Sequence, residues 1–134
     1  MIRATRGVLD TSVFIARESG RQLDEGQLPD ELAVSVVTLA ELQAGVLVAA
    51  DTETRAARLA TLDVVADIEV LPIDEPAALA WARLRVHLAE AGRRVTVNDL
   101  WIAATAVSRG LPVVTQDADF DPLEDIAGLT IVRV

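Results

Sequence analysis

The chain has 134 residues, 51% of them hydrophobic and 25% charged, which suits one ordinary folded domain and is too short for two. It has no cysteine, one histidine and no lysine, all 12 basic residues being arginine, which excludes a disulfide scaffold, a thiol nucleophile, Schiff-base chemistry and a P-loop lysine. The formal net charge of −9 is not that of an ordinary nucleic-acid binder, and any gathering of the acids calls for a cation or for protons.

The first apolar run, Gly7-Val8-Leu9, ends in Asp10-Thr11-Ser12 and continues as Val13-Phe14-Ile15-Ala16, the order of strand, cap and helix. Gly20 to Asp30 is polar with two Gly and one Pro and reads as a loop or one irregular helical turn. Leu32 to Val36 predicts a second strand, followed by a helix opening at Thr38 and running to about Ala50. Asp51 or Thr52 caps a further helix with Leu59, Leu62 and Ala66 on one face.

Val70 to Ile73 predicts a brief strand, and Asp74-Glu75-Pro76 starts a helix that Gly92 ends. His87 is expected as a partly buried residue of that helix, and Trp81 and Trp101 as core or interface residues. Asn98 is expected to cap a central, almost wholly apolar helix from Asp99 to Arg109. Leu111 to Thr115 and Thr130 to Val134 complete the strands. Alternation of short apolar strands with helices predicts a three-layer α/β/α sandwich with a mostly parallel central sheet, residues 1–134 forming one domain.

In such sheets functional groups collect at the carboxyl ends of the strands. Asp10 follows the first strand, Glu41 lies inside the helix after the second, Asp99 opens the central helix, and Asp117 follows Thr115 with Asp119 two residues on. Each acid also has a structural reading. Asp10 and Asp99 suit helix caps, Thr38-x-x-Glu41 has the form of a capping box, and Asp117 and Asp119 suit a turn. Together they put four carboxylates at strand-to-helix junctions on one edge. Two like charges about 5 Å apart repel by roughly 3 kcal/mol at an effective dielectric near 20. With no lysine in the chain and no arginine expected inside the ring, a hard divalent cation is the natural counter-charge, and oxygen ligands select magnesium or manganese. Thr11, Thr115 and Asn98 sit where they can orient the acids.

Four stretches in this order carry a family resemblance: Val8-Leu9-Asp10-Thr11-Ser12-Val13-Phe14-Ile15, Val36-Val37-Thr38-Leu39-Ala40-Glu41-Leu42, Val97-Asn98-Asp99-Leu100-Trp101-Ile102-Ala103-Ala104 and Val114-Thr115-Gln116-Asp117-Ala118-Asp119-Phe120. They cover the chain end to end, and the sequence resembles PIN-domain ribonucleases, specifically VapC-type toxins of bacterial toxin–antitoxin pairs. The resemblance implies a magnesium-dependent endoribonuclease, with manganese able to substitute. Asp10, Glu41 and Asp99 fall on the family's first three acids. The fourth is Asp117 or Asp119, and the position straight after Thr115-Gln116 favours Asp117.

Asp10 and Asp99 are then the primary metal ligands, with Glu41 and Asp117 completing the shell, binding a second metal or positioning the water. A metal so held lowers the pKa of bound water and neutralises charge developing on phosphate. Arg93 and Arg94, just before Asp99, are the first choice for contacts to RNA. The helix faces from Leu39 to Ala50 and Leu59 to Ala66 carry more apolar surface than a small sheet needs, which predicts a homodimer and a groove for a partner helix. By resemblance the partner is a VapB-like antitoxin whose tail covers the acidic pocket. The opening residues Met1 to Arg6 lack the apolar run of a signal peptide and charges interrupt every long apolar stretch, so a cytoplasmic protein off the membrane is expected.

Two other classes compete. One is a non-catalytic acidic protein-binding module, in which the acids are caps. The other is an aspartyl-phosphate phosphotransfer domain, which is disfavoured because the chain has no lysine and places Ser12 where a second Asp would be required.

Overall fold

The strands are apolar on both faces, so the sheet must be covered on both. Val8, Ala33, Leu71, Val113 and Ile131 belong to one buried cluster, and Leu9, Val34 and Val114 to another on the opposite face. The computed structural model describes residues 4–134; Met1, Ile2 and Arg3, part of the stretch read for a targeting signal, lie outside them. The strands are β1 (Arg6–Leu9), β2 (Glu31–Ser35), β3 (Glu69–Leu71), β4 (Val113–Thr115) and β5 (Ile131–Arg133). They form one sheet of order β3-β2-β1-β4-β5, parallel throughout.

The helices are α1 (Thr11–Glu18), α2 (Val36–Leu47), α3 (Thr52–Val65), α4 (Glu75–Ala91) and α5 (Val97–Ser108), with short 3-10 turns at Glu25–Gln27, Asp121–Leu123 and Ile126–Gly128. α4 and α5 supply Leu84, Leu88, Ile102 and Ala104 to the first cluster. α1, α2 and α3 supply Phe14, Leu42 and Val65 to the second. The result is the expected three-layer α/β/α sandwich. At Gly7 an added Cβ would stand 2.9 Å from both Pro29 and Val114 side-chain carbons, so the central strand has room there only for glycine.

Five local expectations are corrected. α5 is capped by Thr96 and not by Asn98: Thr96 is extended, and its hydroxyl accepts the Asp99 N–H at 3.3 Å. α2 begins at Val36, because Ser35 caps it by accepting the Val37 N–H at 3.1 Å. Thr38 and Glu41 therefore lie inside the helix and make no capping box; Thr38 is wholly buried. Asp99 does not arrive from a strand, since α5 follows α4 directly. His87 is exposed on α4, whose inward face is taken by Ala80, Leu84 and Leu88. Trp81 and Trp101 are partly buried and stack on each other, centroids 5.1 Å apart at 20°. Among the described residues no helix is long and apolar enough to cross a membrane.

Candidate metal-binding site

β1 ends at Leu9 and α1 begins at Thr11, so Asp10 is the hinge between them and the N-cap of α1. Its Oδ2 accepts the Ser12 N–H at 3.4 Å and the Thr115 hydroxyl at 3.0 Å. Thr115 ends the neighbouring strand β4. Its oxygen accepts the Asp117 N–H at 3.0 Å and lies 3.2 Å from the Ser12 hydroxyl, which itself accepts the Gln116 N–H at 3.1 Å. The circuit ties the end of β1 to the end of β4 and fixes where the following loop leaves the sheet. Asp10 is 3% exposed, and these donors offset part of the cost of burying its charge.

Glu41 is fixed from two sides. The Thr11 hydroxyl donates to Oε1 at 2.7 Å, and the Asn98 amide donates to Oε2 at 3.4 Å. Thr11 also lies 3.0 Å from the Thr38 hydroxyl. One carboxylate thereby joins α1, α2 and α5. Of the residues read as orienting groups, Thr11 and Asn98 bond to Glu41 and Thr115 bonds to Asp10.

Asp10, Glu41, Asp99, Asp117 and Asp119 line one cavity of about 500 Å³. Both candidates for the fourth acid are therefore present in it. Arg21 also lines this cavity, against the expectation that no arginine enters the ring, while Arg93 and Arg94 line a different cleft. Arg21 lies in a loop, where periodicity carries no information. Ser12 is the other contributor the sequence did not mark: it reads as a cap residue, and its partner Thr115 is 103 residues away.

Five carboxylates and one arginine in one cavity leave strong mutual repulsion. Asp99 is pushed up to about 6, first by burial and then by the charges of Asp10, Asp119 and Glu41. Burial also raises Asp10, against the lowering effect of its Ser12 and Thr115 hydrogen bonds. Asp117 is raised by burial and by Asp119, with Arg21 opposing.

Among the described residues no three of these acids converge into a ready-made metal cage. The donor set is nevertheless all oxygen, anionic in excess and partly desolvated, which fits a hard divalent cation that keeps some of its own waters. Asp10 and Asp99 have the burial, and Glu41, Asp117 and Asp119 border the same space.

Residues 7–126 match the PIN domain, and the chain belongs to that family. Within it the chain falls among the VapC ribonucleases: it is 67% identical over 128 residues to ribonuclease VapC5 of Mycobacterium tuberculosis, covering 96% of this chain and 95% of that one. Ribonuclease VapC4 of the same organism is 45% identical over 126 residues, 94% of this chain and 97% of its own. Among solved structures, the VapBC-5 toxin–antitoxin crystal structure from M. tuberculosis superposes with a TM-score of 0.92 at 63% identity, covering 97% of this chain and 99% of that one. FitAcB from Neisseria gonorrhoeae gives 0.73 at 28% identity, with 93% and 95% covered.

A carboxyl whose folded pKa lies above its unfolded value binds its proton more tightly when folded, so its ionisation opposes folding. For Asp99 that penalty is absent below the ordinary value near about 4, builds through about 6 and is complete above. Asp51, held below its ordinary value by Thr54, titrates beneath that window. Lowering the pH from 7 to 5 should therefore raise the melting temperature of the metal-free protein, and Asp99→Asn should flatten the profile. A profile unchanged in that variant would remove Asp99 from the crowded set.

Proposed function

We propose that this chain is a magnesium-dependent endoribonuclease, the toxin of a toxin–antitoxin pair, and that residues 1–134 work as a single nuclease domain. The observation that carries the reading is the gathering of five carboxylates from four segments into one cavity at the carboxyl edge of the sheet. The relatives bearing the name ribonuclease VapC, similar over nearly the whole chain, support the RNA substrate and the toxin role.

A bound divalent cation supplies acidification of a water and neutralisation of charge on the phosphate. Asp10 and Asp99 would hold it, with Glu41 and Asp117 or Asp119 completing the shell or orienting the attacking water; manganese can replace magnesium. Thr115 and Ser12 keep the Asp10 carboxylate in one orientation, and Thr11 and Asn98 do so for Glu41. That orientation matters because hydrogen bonds to a ligand set its position and basicity, with about 10–100-fold effects on metal affinity or activity. Arg21 offers positive charge at the mouth of the acids for an incoming phosphate.

The partner belongs to the same proposal. Leu47 and Val48 are 70% and 74% exposed at the end of α2, and Ile15 and Leu59 lie exposed on α1 and α3. A cleft of about 330 Å³ lined by Ile15, Leu42, Gly45 and Val48 shares Thr11, Ile15 and Glu41 with the acidic cavity. An amphipathic antitoxin helix seated there would bury its apolar face and bring its tail to the acids. Similarity to solved VapBC complexes supports such a partner. Leu79 and Val86, seven residues apart on α4 and both exposed, suit contact with a second copy in a homodimer. The cytoplasm is the proposed site of action, where a ribonuclease of this kind meets RNA and its antitoxin.

Asp10→Asn and Asp99→Asn should each abolish magnesium-dependent RNA cleavage while the protein still folds. Cleavage by the wild type in excess EDTA, or full activity in both variants, would defeat the metal reading. Leu47→Glu with Val48→Glu should prevent complex formation with the co-expressed product of the neighbouring gene and leave cleavage intact. An undiminished complex would move the antitoxin to another surface.

A further inference from the structure

Arg85, Arg93 and Arg94 rim a second cleft of about 370 Å³, floored by Leu88, Val95 and Leu100. Arg6, Arg17, Arg109 and Arg133 each meet a carboxylate, and Arg55 and Arg58 donate to backbone carbonyls. Among the described residues no carboxylate lies within ion-pair distance of Arg85, Arg93 or Arg94. In a chain with 21 acidic residues, three arginines in one cleft without acidic partners are a concentrated positive feature on a negative protein.

Their placement is built by the fold. The Arg85 guanidinium lies 5.4 Å from the centroid of the Trp81 ring, and Trp81 stacks on Trp101 of α5. Gly92 ends α4 in the left-handed conformation at φ 65°, and the Arg93 N–H bonds to the Leu88 carbonyl at 3.0 Å, which sets the direction in which Arg93 and Arg94 leave the helix. The same short connection then reaches Thr96, which lines the acidic cavity. Leu100 borders the arginine cleft and Asp99 borders the acids, so the first turn of α5 separates the two.

We propose that this cleft is a phosphate subsite that holds the backbone of single-stranded RNA a few nucleotides from the bond being cut. The inference rests on the endoribonuclease reading and adds Arg85 to the pair expected from sequence. Planar guanidinium groups bind phosphate oxygens bidentately, and the apolar floor gives sugars or bases a surface to cover. It places substrate affinity away from the acids, where every carboxylate repels RNA. The contacts are made equally before and during cleavage, so they act on KM and not on kcat.

The test measures binding of a fluorescent single-stranded RNA oligonucleotide in EDTA, and its cleavage with magnesium. The proteins compared are wild type, Arg93→Gln/Arg94→Gln, the triple variant that adds Arg85→Gln, and Arg83→Gln as a charge control on α4 outside the cleft. The double variant should weaken binding by roughly tenfold and reduce the slope of log affinity against log salt by about 1.4, with kcat unchanged and KM raised to match. The triple variant should lower the slope by about 2, and Arg83→Gln should change little. Affinity and KM unchanged in both cleft variants, with cleavage intact, would overturn the subsite alone. An equal loss in Arg83→Gln would reduce it to bulk charge, and retention of RNA binding with loss of affinity for an acidic peptide would assign the cleft to a protein partner; either overturns the proposal. Failure of the wild type to cleave any RNA would instead fail the functional reading.

Discussion

Like charges crowded at the carboxyl edge of a parallel sheet govern this molecule. β1 and β4 are adjacent in the sheet, so the residues that leave their ends, Asp10 and Asp117, must be neighbours. α2 brings Glu41 over the same edge, and the start of α5 brings Asp99. In a partly desolvated cavity such charges persist only if hydrogen bonds, protons or a cation compensate them. Hydrogen bonds supply part of that compensation at Asp10 and Glu41, and at Asp99 burial and neighbouring charge push the carboxyl up to about 6, which favours its protonated form. We assign the remaining compensation to a divalent cation.

The hydrogen-bond circuit also explains why the site stays in one arrangement. Ser12, Thr115, Gln116 and Asp117 close a set of bonds across two strand ends, so the loop beyond β4 is anchored before it reaches Phe120, which is wholly buried. Glu41 depends on Thr11 and Asn98, which come from α1 and α5. Moving any one of these elements would disturb carboxylates carried by the others. The contacts that orient the acids are thus also joints between the elements of the fold.

Much of this was legible in the residues. Short apolar runs that end before Asp10 and at Thr115 mark where strands stop, and β1 and β4 need no more than that to place Asp10 and Asp117 on one edge. The parts that were not legible depend on tertiary contacts. Asn98 and Thr96 are both good caps by type, and only the backbone decides that Thr96 takes the role and frees Asn98 to reach Glu41. Thr38-x-x-Glu41 satisfies the capping-box pattern, yet Ser35 starts the helix earlier and turns Glu41 into a cavity residue. Arg21 has no pattern around it, and the separation of Arg93 and Arg94 from the acids follows from which side of α5 the connection takes.

We assign the acidic cavity to cleavage, the exposed apolar face on α1 to α3 to restraint by a partner, and the arginine cleft to grip on a polyanion. If a divalent cation completes these carboxylates, equilibrium binding detects it without any substrate. Metal-free protein titrated with Mn2+ at pH 7, with free Mn2+ followed by its electron paramagnetic resonance signal, should show saturable uptake that Asp10→Asn sharply weakens. A free-ion signal that rises in proportion to added Mn2+ from the first addition, in the wild type as in the variant, would contradict the account.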